Sequence, residues 1–167
     1  MEYCPVEYPD PYNQDLSANK AIHIYFSQAV PLVTYIDENC LYLKDEKCTI
    51  CQGVCKHDAI DFTQEAEKVK VNVGAIILAP GYEPFDPGPR GDYGYGKMEN
   101  VVTSLDFERL LCATGPYEGE ILRASDKKHP HKVAWIQCVG SRDDERPYFS
   151  RICCSQPIKN SIALKEA

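Results

Sequence analysis

Long apolar runs, basic blocks and glycine-loop motifs are all missing from this 167-residue chain. No stretch approaches the roughly 18 apolar residues a membrane helix needs, so direct membrane insertion is not expected. The opening residues Met1-Glu2-Tyr3-Cys4-Pro5-Val6-Glu7 are acidic and proline-rich, where a secretory signal is basic and then apolar. Lys and Arg, 18 in all, are scattered against 25 Asp and Glu, for a net charge of −7. That balance argues against nucleic acid or an anionic lipid surface as a partner. No Gly-x-Gly-x-x-Gly loop occurs, since Gly94 and Gly96 have neither a third glycine nor a preceding strand. Ser–His–acid sets, paired carboxylates and solenoid-type repeats are equally absent, so no catalytic residue is assigned.

Cysteine, by contrast, is abundant. There are nine, an odd number, and nothing indicates export, so a disulfide framework is not expected and the cytoplasm is the expected location. Cys48, Cys51 and Cys55 form a Cys-x2-Cys-x3-Cys run, Cys40 lies eight residues upstream, and Cys4 is followed by Pro5. Such a run folds a short loop back on itself, so that thiolates and backbone amides face one centre. That suits an iron–sulfur cube, and bacterial ferredoxin loops end in the same Cys-Pro step. The spacing predicts a [4Fe–4S] cluster on Cys40, Cys48 and Cys51 with either Cys4 or Cys55 as the fourth ligand. The crossover rule of two-cluster ferredoxins favours Cys4 and leaves Cys55, followed by Lys56 in place of proline, for another cluster. A structural zinc on four thiolates is the plainer alternative, and with it a non-catalytic scaffold that only contacts partner subunits.

Cys138, Cys153 and Cys154 form a second set. Adjacent cysteines rarely pair with each other. At a helix start, their thiolates would be favoured by the helix dipole and by Arg142 and Arg151. Small buried core residues are an equally good account of them. Cys112 reads as core. His57 sits beside the cluster loop and could tune it, whereas surface or internally satisfied roles are the default for His23, His129 and His131.

The chain divides by composition into residues 1–62, rich in Cys, Tyr and Pro, and residues 63–167, which read as part of an α/β domain. The first segment has little core of its own, and a bound cluster would act as its staple. Residues 68–73 alternate polar and apolar, 75–79 are continuously apolar and 132–137 repeat the pattern, so all three are expected strands. Pro84, Pro87 and Pro89 with Gly88, Gly91, Gly94 and Gly96 make the intervening stretch a loop. Residues 104–111 should form a short helix capped by Thr103 or Ser104 and closed by Gly115-Pro116. A last helix is expected from about Ser150 to Ala167, with Pro157 kinking it or in its first turn. Three or four strands are too few to bury such a sheet, so the chain reads as an excerpt.

These pieces, in this order, resemble the A-type component of heterodisulfide reductase, the flavin and iron–sulfur subunit of electron-bifurcating complexes. The resemblance spans nearly the whole chain. It rests on Cys4-Pro5-Val6-Glu7, Lys20-Ala21-Ile22, Gln28-Ala29-Val30-Pro31 and the Cys48, Cys51, Cys55 run leading to Ala59-Ile60-Asp61-Phe62. It continues through residues 73–77, Tyr93-Gly94-Tyr95-Gly96, Leu105-Asp106-Phe107-Glu108-Arg109 and residues 137–143. It implies a ferredoxin-like segment at the N-terminal end of part of a thioredoxin-reductase-like dinucleotide-binding domain. FAD would belong to the full-length family protein and not be retained by this chain alone, which would have no complete oxidoreductase activity. The family's Ala-Thr-Gly step near the flavin falls on Ala79, Pro80 and Gly81, with proline in place of threonine. The resemblance also implies a second cluster on Cys138, Cys153, Cys154 and one further cysteine, but Phe149 stands at that fourth position. Implied partners are other subunits of such a complex, and ferredoxin or hydrogenase-type electron donors.

Overall fold

Strand β1 (Glu7–Pro9) pairs antiparallel with β2 (Ala18–Lys20), placing Glu7 opposite Lys20 and Tyr8 opposite Asn19. The Glu7 and Lys20 side chains bridge the pair at 2.5 Å. The connection turns through a single 3₁₀ turn at Pro11–Asn13, where the Asp10 carboxylate accepts the Tyr12 amide and Pro11 supplies a preset φ. A second ribbon follows at once: β3 (Ile22–His23) pairs antiparallel with β4 (Tyr35–Ile36). The structure, a computed structural model, describes residues 1–26, 28–29 and 33–166. Val30 and Pro31 of the 28–31 motif, and the end of the last expected helix at Ala167, lie outside the described residues.

Two short helices, α1 (Leu41–Asp45) and α2 (Ile50–Val54), follow the ribbons. Ala21, Ile22 and Cys40 are buried between these elements, and Phe62 stacks on Tyr42 of α1 with ring centroids 4.0 Å apart. So few buried side chains make a small core, as the composition of residues 1–62 suggests.

Two compact units divide the chain, Met1–Tyr82 and Glu83–Ala167. The second is built on helices α3 (Ser104–Leu111) and α4 (Ser155–Glu166). Helix α3 has the expected bounds. Thr103 caps it by accepting the Asp106 amide, while the Asp106 carboxylate accepts the Thr103 amide in return, a reciprocal capping box. At its other end, a side chain at Gly115 would place Cβ 1.9 Å from the Arg109 carbonyl oxygen, so only glycine lets the chain turn back there. Phe107, Leu110 and Ile121 are buried, and Trp135 meets Phe107 edge to face at 5.6 Å. Lys159 and Gln156 of α4 donate to the Glu108 carboxylate of α3, at 2.6 and 3.5 Å.

Two expectations need correction. None of the stretches 68–73, 75–79 and 132–137 is a strand, although the structure combines helix and sheet as an α/β reading requires. Strands exist only as paired ladders, and these segments find no neighbour among the described residues. Ile77 and Leu78 accordingly stand 92% and 86% exposed. Residues 132–137 keep the expected alternation, with Val133 and Trp135 half-buried and their neighbours exposed, but without a partner strand. Helix α4 begins at Ser155 and not near Ser150, which leaves Pro157 in its first turn, where its missing N–H costs nothing. Phe149 and Cys153 are therefore not one helical turn apart. No helix among the described residues is long and apolar enough to cross a membrane.

Candidate metal centre

Cys4, Cys40, Cys48 and Cys51 line one pocket of the first unit, together with Pro5, Val6, Ala21, Ile22, Ile36, Leu41 and Ile50. Local chain geometry delivers each thiol. Cys40 stands immediately before α1, its amide donating to the Asp37 carbonyl at 3.0 Å. Cys48 precedes α2 and Cys51 lies within its first turn, so the Cys-x2-Cys step curls both thiols to one side. Cys4 comes in just ahead of β1, held by a turn in which its amide donates to the Met1 carbonyl at 3.1 Å. Burial pushes the Cys51 thiol up from its ordinary pKa, and the neighbouring Cys40 and Cys48 add to the effect.

Cys55 is placed differently. It caps the C-terminal end of α2 and is not among the pocket's lining residues. Its sulfur accepts the Ala59 amide at 3.4 Å, and the amides of Ala59 and His57 hold its thiol below the ordinary range.

Behind the pocket lies a polar group that sequence reasoning missed. Asp37, only 8% exposed, accepts the Tyr8 hydroxyl and, at 2.8 Å, the Asn39 amide, with His23 Nδ1 at 3.8 Å. Burial and the Asp37 charge push the Tyr8 phenol far up. His23 has an internal partner as well, the Lys20 carbonyl at 2.8 Å. No spacing motif joins residues 8, 23 and 37; only the two ribbons bring them together.

In the second unit, Cys154 sits just ahead of α4 beside Cys153, with Cys138 and Arg142 within electrostatic reach. Burial and the neighbouring thiols Cys153 and Cys138 raise the Cys154 pKa, while Arg142 opposes them. The Arg142 guanidinium also lies over the Phe149 ring, 5.1 Å from its centroid. Cys112 is half-buried at the C-terminal cap of α3. Ala79, Pro80 and Gly81 are exposed. Among the described residues, no three or more His, Cys, Asp or Glu groups are gathered as a metal ion would gather them. A cluster is a polyatomic body, and its thiolates stand around it instead of meeting on one ion.

No protein-family model matches the chain. Individual relatives do. It is 48% identical over 167 residues to the second A-type iron–sulfur subunit of the CoB–CoM heterodisulfide reductase of Methanopyrus kandleri. It is 44% identical over 166 residues to the A-type iron–sulfur subunit of the CoB–CoM heterodisulfide reductase of Methanocaldococcus jannaschii. The A-type subunit of the ferredoxin:CoB-CoM heterodisulfide reductase of Methanosarcina acetivorans is 37% identical over 193 residues. These alignments cover 98–99% of this chain but 24–25% of each relative, so the chain spans about a quarter of the length of the curated relatives it matches. Along virtually all of its own sequence, the chain is similar to a quarter-length stretch of the A-type subunits of heterodisulfide reductase.

Proposed function

We propose that this chain is an iron–sulfur electron-transfer module of a heterodisulfide-reductase-like flavoprotein oxidoreductase complex, relaying single electrons between a flavin and the clusters of partner subunits. One observation carries the reading: four cysteine thiols border a single apolar pocket. The donor set fits an iron–sulfur group, because all its donors are soft thiols and its remaining walls are aliphatic. Cys4, Cys40, Cys48 and Cys51 would hold a [4Fe–4S] cluster, and Cys55, outside the pocket, would serve a separate one. When bound, the cluster supplies a one-electron couple whose potential is set by burial and by amide hydrogen bonds to sulfur.

The chain's own residues then have definable work. Burial disfavours the Cys51 thiolate, whereas a coordinating iron holds a thiol deprotonated, so cluster binding and folding of residues 1–62 are coupled. Ile22, Ile36 and Ile50 line the pocket beside the sulfurs and would give a bound cluster an apolar wall. The functional boundary falls near residue 62, after which residues 63–167 contribute part of a dinucleotide-binding domain. Ala79, Pro80 and Gly81 would form one wall of a flavin site, but without a glycine loop to accept the pyrophosphate the chain alone does not retain FAD. Partners would be the other subunits of the complex, with ferredoxin or hydrogenase-type donors, in the cytoplasm.

Anaerobic purification followed by iron, sulfide and flavin assays and a visible spectrum tests this. Broad absorption, about four irons per cluster and no bound flavin are expected. Cys4→Ser should bleach the spectrum and Cys55→Ser should not. Colourless protein with stoichiometric zinc would overturn the reading, and FAD at one per chain would overturn the assignment of the flavin boundary.

A further inference from the structure

The second cysteine set differs in what surrounds it. Cys154 has the thiols of Cys153 and Cys138 and the Arg142 guanidinium within electrostatic reach. Arg142 in turn lies over the Phe149 ring, 5.1 Å from its centroid. Phenylalanine carries no donor atom. Asp143, the carboxylate next along the loop, is already engaged: Arg90 donates to it at 3.0 Å and the Arg146 amide at 2.7 Å. Cys138 and Gly140 have φ of +62° and +78°, and a Cβ at Gly140 would meet the Phe85 ring at 2.4 Å.

We infer that Cys138, Cys153 and Cys154 hold no four-iron cluster in this chain and remain free thiols, because Phe149, at the position where the resemblance implies a fourth cysteine, has no donor atom and lies under the Arg142 guanidinium. A cube has four irons to ligate at its corners, and three thiolates leave one corner to solvent or to a donor this site does not offer. All three cysteines are only half-buried, so their sulfurs stay open to alkylating reagents instead of being consumed by iron. The inference stands apart from the first set, which Cys48→Ser reads separately.

The test uses the intact chain purified without oxygen. Cys138→Ser should leave iron and sulfide unchanged, and native alkylation with N-ethylmaleimide, mapped by mass spectrometry, should label Cys138, Cys153 and Cys154. Phe149→Cys should raise iron by about four per chain, while Phe149→Ala, which removes bulk without adding a donor, should not. Loss of about four irons in Cys138→Ser, or protection of all three thiols until the protein is acidified, would overturn the inference. Unchanged iron in Phe149→Cys would overturn the role given to Phe149, and a gain in Phe149→Ala would show that bulk, not the missing donor, excludes the cluster.

Discussion

Cys4, Cys40, Cys48 and Cys51 face aliphatic walls in the first unit, whereas Cys138, Cys153 and Cys154 in the second meet an arginine and the aromatic ring beneath it. Both sets pair helix-start cysteines with one brought from elsewhere in the chain. What separates them is the fourth donor and the neighbourhood. The first set gathers four soft donors in a region with little other core, so on the proposed reading a bound cluster would add to its cohesion. In the second unit, α4 meets α3 through Lys159 and Gln156 on the Glu108 carboxylate, and Phe107, Leu110 and Ile121 supply a core made of side chains alone.

The largest effect expected from this contrast is at Cys48. Cys48→Ser should abolish the visible absorption and loosen residues 1–62, seen as faster amide exchange there, because ligand binding and folding are one equilibrium in a unit this thin. Retention of the spectrum would erase the distinction between the two sets. Leu110→Ala should strike the other unit by about 2–5 kcal/mol, the usual cost of emptying a buried leucine position. Chemical denaturation would show it, with the absorption spectrum of the first set intact. Thr103→Ala removes the capping hydroxyl of α3 and should cost about 1 kcal/mol, read from the same unfolding curve.

The smallest effect concerns pH. Burial tends to raise the Glu108 pKa, but hydrogen bonds from Lys159, Asn160 and Gln156 outweigh it and leave the carboxyl below its ordinary value. A depressed folded-state pKa gives stability that is present above the unfolded value and disappears as pH falls through the folded one. The α3–α4 contact should therefore weaken on acidification below the ordinary glutamate range. Glu108→Gln should flatten that part of the stability–pH profile, and a profile unaltered by the substitution would count against the contact.

Helix α3 was fully legible because its determinants are local: a capping box at Thr103 and Asp106, an apolar face at Phe107 and Leu110, and a glycine exit at Gly115. The thiol spacing around Cys48 and Cys51 was legible for the same reason. Strand formation was not, since residues 68–79 have the right side chains but a ladder depends on a neighbour far away in sequence or beyond it. The buried Asp37 escaped notice because its Tyr8 partner is 29 positions distant, and nothing about either residue signals the other. Helix α4 starts at Ser155, later than the expected Ser150, because the preceding residues form a turn in which the Ser155 hydroxyl and amide both donate to the Ile152 carbonyl.

The bare stretch from Val69 to Leu78 has a colloidal consequence. Apolar side chains on a backbone without a ladder present a template on which a second such backbone can add. Lys68 and Lys70 interrupt its first half and repel a matching strand, as gatekeeping charges do. Ala75-Ile76-Ile77-Leu78-Ala79 has no charge within it, and Pro80 only marks where it stops. Self-association of the separated chain would thus start at residues 75–79 and grow with concentration, so the shelf life of a preparation would turn on five residues outside both cysteine sets.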